Sequence, residues 1–125
     1  MNAEYISLLM KYNLNDIRVL NLSWNSIGDQ GAKALAQNIS WVNLSRLDLQ
    51  GNNIGVEGAK GLAQNTSWRN LSRLYLWSNN IGTDGAKALA QNPHWVKLSR
   101  LDLQGNKIGT EGTKLLKQSK ALKQS

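Results

Sequence analysis

The sequence predicts an α/β solenoid: a short arc with a parallel β-sheet on its concave side and helices on its convex side. Three observations predict it. A unit of 27 residues occurs four times without insertion or deletion, so that Ile27, Ile54, Ile81 and Ile108 are each followed by Gly. Asn25, Asn52, Asn79 and Asn106 keep the same step, as do the paired leucines Leu20/Leu22, Leu47/Leu49, Leu74/Leu76 and Leu101/Leu103. Within each unit the apolar spacing changes from alternation to a helical period. A fixed period of this length means a stack in which each unit buries its neighbour's face, and four copies exceed the roughly three that such a stack needs.

Residues 1–16 precede the repeats and are expected to form a capping helix. Tyr5, Leu8, Leu9 and Tyr12 lie at i, i+3, i+4 and i+7, with Ile6 and Met10 widening that face. A terminal cap shields the open apolar side of the first unit. The repeats then run over 17–43, 44–70, 71–97 and 98–124, within a repeat domain spanning 17–125.

The first nine residues of a unit read as a short strand. In Leu44-Ser45-Arg46-Leu47-Asp48-Leu49 the alternation sends Leu47 and Leu49 inward and Arg46, Asp48 and Gln50 outward. The Asn52 amide is expected to bond turn backbone, so that stacked copies form an asparagine ladder. Ile54 returns to the core, and Gly55 permits a tight bend. A helix follows, with Asp29, Thr83 and Thr110 as expected N-caps and Glu57, Asp84 and Glu111 in first turns. Ala59, Leu62 and Ala63 face the sheet, Asn65 ends the helix, and Pro93 enforces that stop in the third unit. Lys33, Lys60, Lys87 and Lys114 line the convex side. The tail from Lys114 reads as a basic capping helix: Lys114, Lys117, Lys120 and Lys123 carry four of the seven net positive charges.

Composition excludes several functions. The absence of cysteine removes disulfides, Cys-based metal sites and thiol nucleophiles. The first residues lack a basic leader followed by an apolar run, so no signal peptide is expected, and no stretch is long and apolar enough to span a bilayer. Asn-x-Ser sequences at Asn21, Asn38, Asn43, Asn65 and Asn70 favour a cytoplasmic setting, since a glycan at Asn21, Asn43 or Asn70 would obstruct strand packing. Delivery into a host cell is compatible with that setting. Gly-x-x-Gly recurs at the turn before each helix and Gly-Ala-Lys in the first three units, which marks them as structural rather than phosphate-binding. His94 lies alone in an Asn-Pro-His-Trp turn. No catalytic residue, cofactor site or metal site is expected, and the chain reads as a non-enzyme.

The spacing LxxLxLxxNxIGxxG, seen at Leu44, Leu47, Leu49, Asn52, Ile54, Gly55 and Gly58, resembles the leucine-rich repeats of the ribonuclease-inhibitor-like class. The resemblance covers Ile17 to about Ser119. The unit is slightly shorter than usual for that class and the copies fewer, so a short arc is expected in place of a full horseshoe. The resemblance implies protein binding through the concave strand face, as in inhibitors, innate-immune sensors and bacterial effectors.

Two groups of aromatics divide the candidate residues. Trp41, Trp68 and Trp95 share one repeat position, with Leu122 in the last unit, as packing wedges would. Trp24 and Trp77 break the repeat. Sister units place Ser23, Gln50 and Gln104 in the Trp77 column and Gly51, Ser78 and Gly105 in the Trp24 column; Tyr75 replaces Asn21, Asp48 and Asp102. Exposed aromatics beside Arg46, Arg73 and Arg100 form an interface centre. The candidate binding set is Trp24, Arg46, Asp48, Gln50, Arg73, Tyr75, Trp77, Arg100, Asp102 and Gln104. Because Tyr75 takes the place of an acid, Arg73 is the arginine expected to reach for an acidic or phosphorylated group. The leading expectation is a module binding a protein or peptide on this face, as a monomer or a weak end-to-end oligomer. The alternative is a basic module for nucleic acid or an anionic surface, nucleic acid being the less favoured partner; regulation of a small GTPase is more remote.

Overall fold

The structure, a computed structural model, describes residues 6, 8, 9, 11 and 16–118. Over residues 19–118 four strands alternate with four helices: β1 (Val19–Asn21), α1 (Gly28–Ala36), β2 (Arg46–Asp48), α2 (Val56–Leu62), β3 (Arg73–Tyr75), α3 (Gly82–Ala90), β4 (Arg100–Asp102) and α4 (Gly109–Gln118). The strands form one parallel sheet in chain order, and the 27-residue step is its register: Leu20, Leu47, Leu74 and Leu101 are successive partners. Regular strand is limited to three residues per unit, shorter than the alternation suggests. Single backbone bonds prolong the pairing, as in Leu49 N–H to the Tyr75 carbonyl (2.8 Å) and Gly51 N–H to that of Trp77 (3.0 Å). The chain then turns left-handed at Trp24, Gly51, Ser78 and Gly105, which ends the strand.

The core lies between sheet and helices. Leu47, Leu49, Ile54, Ala59 and Leu62 of the second unit are fully buried, and their equivalents in the third unit follow them. Trp41, Trp68 and Trp95 are buried and stacked, with ring centroids 6.5 and 6.4 Å apart and interplanar angles of 12° and 11°. They are wedges between helix and following strand, as their shared repeat position predicts.

Two asparagine ladders bind the units together. Asn52 accepts from the backbone of Asn25 (2.8 Å) and Ile27 (3.2 Å) and donates to the carbonyls of Leu22, Leu49 and Gln50. Asn79 and Asn106 repeat the arrangement. The second ladder, at Asn38, Asn65 and Asn92, does more than end helices. Asn65 receives the N–H groups of Ser67 and Trp68, donates to the Ala36 carbonyl and accepts from the Trp95 indole at 3.4 Å. Asn38 does the same for Trp68. One unit before Asn38 the chain has Lys11, and the Trp41 indole nitrogen has no partner among the described residues.

Four expectations are corrected. Asp29 and Thr83 do not cap their own helices. Asp29 Oδ1 accepts from Gly55 (2.6 Å) and Gly58 (3.0 Å) at the start of the next unit's helix, and Thr83 donates to the Ile108 carbonyl. Gly55 is consequently extended (φ −100°), whereas Gly28, Gly82 and Gly109 are left-handed, and a Cβ on Gly58 would fall 2.5 Å from Asp29 Oδ1. In the N-terminal segment Ile6, Leu8, Leu9 and Lys11 are helical, with Ile6 buried, Leu9 half-buried and Leu8 half-exposed. The inward stripe therefore runs through Ile6, which approaches α1 at Gly31, and not through Leu8; Tyr5, Met10 and Tyr12 lie outside the described residues, as does the tail beyond 118. Finally, Asn21 is exposed on the edge strand, so a glycan there would not obstruct packing. Asn38 and Asn65 are the two whose burial excludes one.

Candidate functional site

The concave face is built from the residues that alternate outward along the strands and their continuations. Register places Arg46, Arg73 and Arg100 in one row and Asp48, Tyr75 and Asp102 in the next. Arg46 reaches along its own strand to Asp48, with Nε to Oδ1 at 2.9 Å and Nη2 to Oδ2 at 3.1 Å, a bidentate pair. These bonds raise the Arg46 guanidinium further above its already high ordinary pKa, with the charge of Asp48 acting in the same direction. The pairing also corrects the expectation that Asp48 is exposed. It is 3% exposed, covered by Arg46 and flanked in register by Asn21 and Tyr75.

Tyr75 stands between two cations: Arg46 lies 4.8 Å and Arg100 5.9 Å from its ring centroid. Asp102 accepts from the Gln104 backbone at 3.2 Å, a local turn bond that leaves Gln104 exposed. Gln50 is half-buried, and its side-chain oxygen is enclosed without a donor among the described residues. Arg73 is exposed, and its guanidinium makes no hydrogen bond or ion pair among the described residues.

The second cluster joins residues from three units. Trp24 is left-handed (φ 59°) and 63% exposed, and its ring lies across Gly51, where a Cβ would fall 2.1 Å from it. Crossing Gly51 brings the ring edge-on to Trp77, with centroids 5.6 Å apart at 75°. Gly51 is the residue that the sequence reading missed. The signal was present as a glycine in the second unit of the column that begins with Trp24.

Left-handed backbone is unfavourable for a bulky side chain. Trp24→Gly relieves strain worth about 1 kcal/mol and forfeits an aromatic contact worth about 0.5–1.5 kcal/mol. Urea unfolding should therefore place this variant within about 1 kcal/mol of the wild type. A larger loss would show that Trp24 belongs to the scaffold.

Among the described residues no cluster of His, Asp or Glu could hold a metal ion, and no helix is long and apolar enough to cross a membrane.

A repeated strand, an asparagine-filled turn and a helix in 27-residue register define the class. The chain belongs to the leucine-rich repeat family, whose model matches residues 13–36, 42–63, 69–90 and 96–117. Two solved structures share the arc. The actin-binding site 2 of leiomodin-1 superposes with a TM-score of 0.68 at 20% identity, covering 95% of this chain and 75% of that one. The C-terminal domain of Caenorhabditis elegans tropomodulin gives a TM-score of 0.70 at 11% identity, covering 96% and 78%. No curated protein sequence matches this chain.

Proposed function

We propose that the chain is a non-enzymatic protein-interaction module whose concave face, centred on Tyr75 and Trp77, docks a protein or peptide. One observation carries the reading: the aromatics at 24, 75 and 77 depart from the repeat, yet they cluster on one face outside the ladders and the tryptophan stack that hold the units together. A rigid aromatic surface rimmed by arginines concentrates binding energy in few residues. Within this reading residues 1–16 cap the array, the repeats divide at 17–43, 44–70, 71–97 and 98–124, and the array belongs to the ribonuclease-inhibitor-like class. It works in the cytoplasm as a monomer or weak end-to-end oligomer. Since one structural neighbour is an actin-binding segment, actin is a first purified protein to try.

Affinity capture from a cell lysate tests the reading, with the wild type beside a Tyr75→Ala/Trp77→Ala variant and washes at low and high salt. The expected result is a protein held by the wild type at high salt and lost by the variant, whose circular dichroism is unchanged. Recovery of nucleic acid alone, equal for both chains and released by salt, would move the binding to the basic surface.

A further inference from the structure

We infer that the partner presents a carboxylate and, roughly four residues of extended chain away, an apolar side chain: the carboxylate docks on Arg73 and the apolar group on the Trp24–Trp77 pair. The inference rests on the concave-face reading and specifies its partner's chemistry.

Of the three arginines in the row, Arg46 is committed to Asp48 by two short bonds. Arg100 has Asp102 two residues on and already makes interactions of its own. On β3 the acid's place is taken by Tyr75, so Arg73 carries a charge that its own strand does not neutralise. A single guanidinium fork matches one carboxylate in both charge and geometry, whereas a phosphate monoester carries nearly two charges, of which one uncommitted cation balances only part. The flanking arginines hold the Tyr75 ring from both sides, which makes a fixed wall beside Arg73.

The apolar half of the site is Trp24. It is the most exposed aromatic whose position is described, and it is held in a left-handed conformation that the sister units give to Gly51, Ser78 and Gly105. It remains 63% exposed while its ring packs edge-on against the half-buried Trp77. Arg73, Tyr75 and Trp77 follow at i, i+2 and i+4, so anchor and cation are separated by roughly 13 Å along the chain at extended spacing. An extended peptide with the same period of two can meet both.

Selection from a displayed library of random twelve-residue peptides, on the immobilised full chain, tests this. The wild type should enrich peptides bearing Asp or Glu about four positions from a large apolar residue. For individual synthetic peptides, anisotropy should show Arg73→Gln weakening binding at least tenfold, with Arg73→Lys in between. Changing the peptide's acid to its amide should produce the same loss on the wild type and little further loss on Arg73→Gln. Circular dichroism of each variant should match the wild type. Enriched peptides that lack an acid, or that bind Arg73→Gln as well as the wild type, yet are lost by Tyr75→Ala/Trp77→Ala, would overturn the carboxylate assignment and leave the concave face standing. Peptides bound equally by the Tyr75→Ala/Trp77→Ala chain would overturn the face itself.

Discussion

Replacing Trp68 with alanine is expected to remove about 3–5 kcal/mol of stability, the cost of deleting a fully buried large side chain that neighbours cannot refill. Trp68 is the middle ring of the stack, parallel to Trp41 on one side and Trp95 on the other, and its indole donates to Asn38. Alanine leaves a cavity at two unit-to-unit contacts at once and removes the indole donor from the Asn38 amide oxygen, which keeps only the Ser40 and Trp41 N–H groups of its own unit. A protein of this size has a total stability of about 5–15 kcal/mol, so the loss takes a large share of it. Each unit contacts only its neighbours, and a failure in the middle splits the array into pieces too short to stand alone. Urea unfolding followed by far-ultraviolet circular dichroism should show a large fall in midpoint for Trp68→Ala and a smaller one for Trp95→Ala. Equal, small shifts would show that the stack does not join the units.

Asn52→Ala should cost about 3 kcal/mol or more, because each buried polar group left without a partner costs about 1–3 kcal/mol. The Asn52 side chain is fully buried, receives two backbone N–H groups from the preceding unit and supplies three carbonyls with a donor. Aspartate does not rescue it. A carboxylate retains the acceptor for Asn25 and Ile27 but faces the carbonyls of Leu22, Leu49 and Gln50 with no proton to offer, and burial adds the cost of desolvating a charge. Asn52→Asp should therefore unfold at a urea concentration no higher than Asn52→Ala at neutral pH. Stability near that of the wild type for either variant would contradict the ladder.

The two ladders were not equally visible from the residues. Asn52 stands inside the strand-turn spacing, where one amide has an evident role. Asn38, Asn65 and Asn92 recur at the same step, but a helix-ending asparagine explains each without a neighbour; only stacking shows that Asn38 and Asn65 also serve the next unit's tryptophan. Asp29 misled for a related reason. Capping rules are written for one helix, and in a solenoid the nearest open N-terminus belongs to the following unit. Inward leucines and the core placement of Trp41, Trp68 and Trp95 followed directly from the period, because successive copies repeat the test; the stacking of the three rings did not. Trp24 is the opposite case. Its reach to Trp77 depends on a left-handed backbone and a missing Cβ at Gly51, which are visible only in three dimensions. The burial of Asp48 likewise depends on where Arg46 folds back.

The fold and the proposed docking face thus use different residues: ladders and a buried stack for one, outward aromatics and arginines for the other. The five tryptophans divide between them, three in the stack and two on the face. Their indole N–H resonances, followed by nuclear magnetic resonance during titration with the protein recovered by capture, test that division most directly. The account predicts that the signals of Trp24 and Trp77 move or broaden while those of Trp41, Trp68 and Trp95 hold their positions. A bound partner that leaves Trp24 and Trp77 unmoved would contradict it.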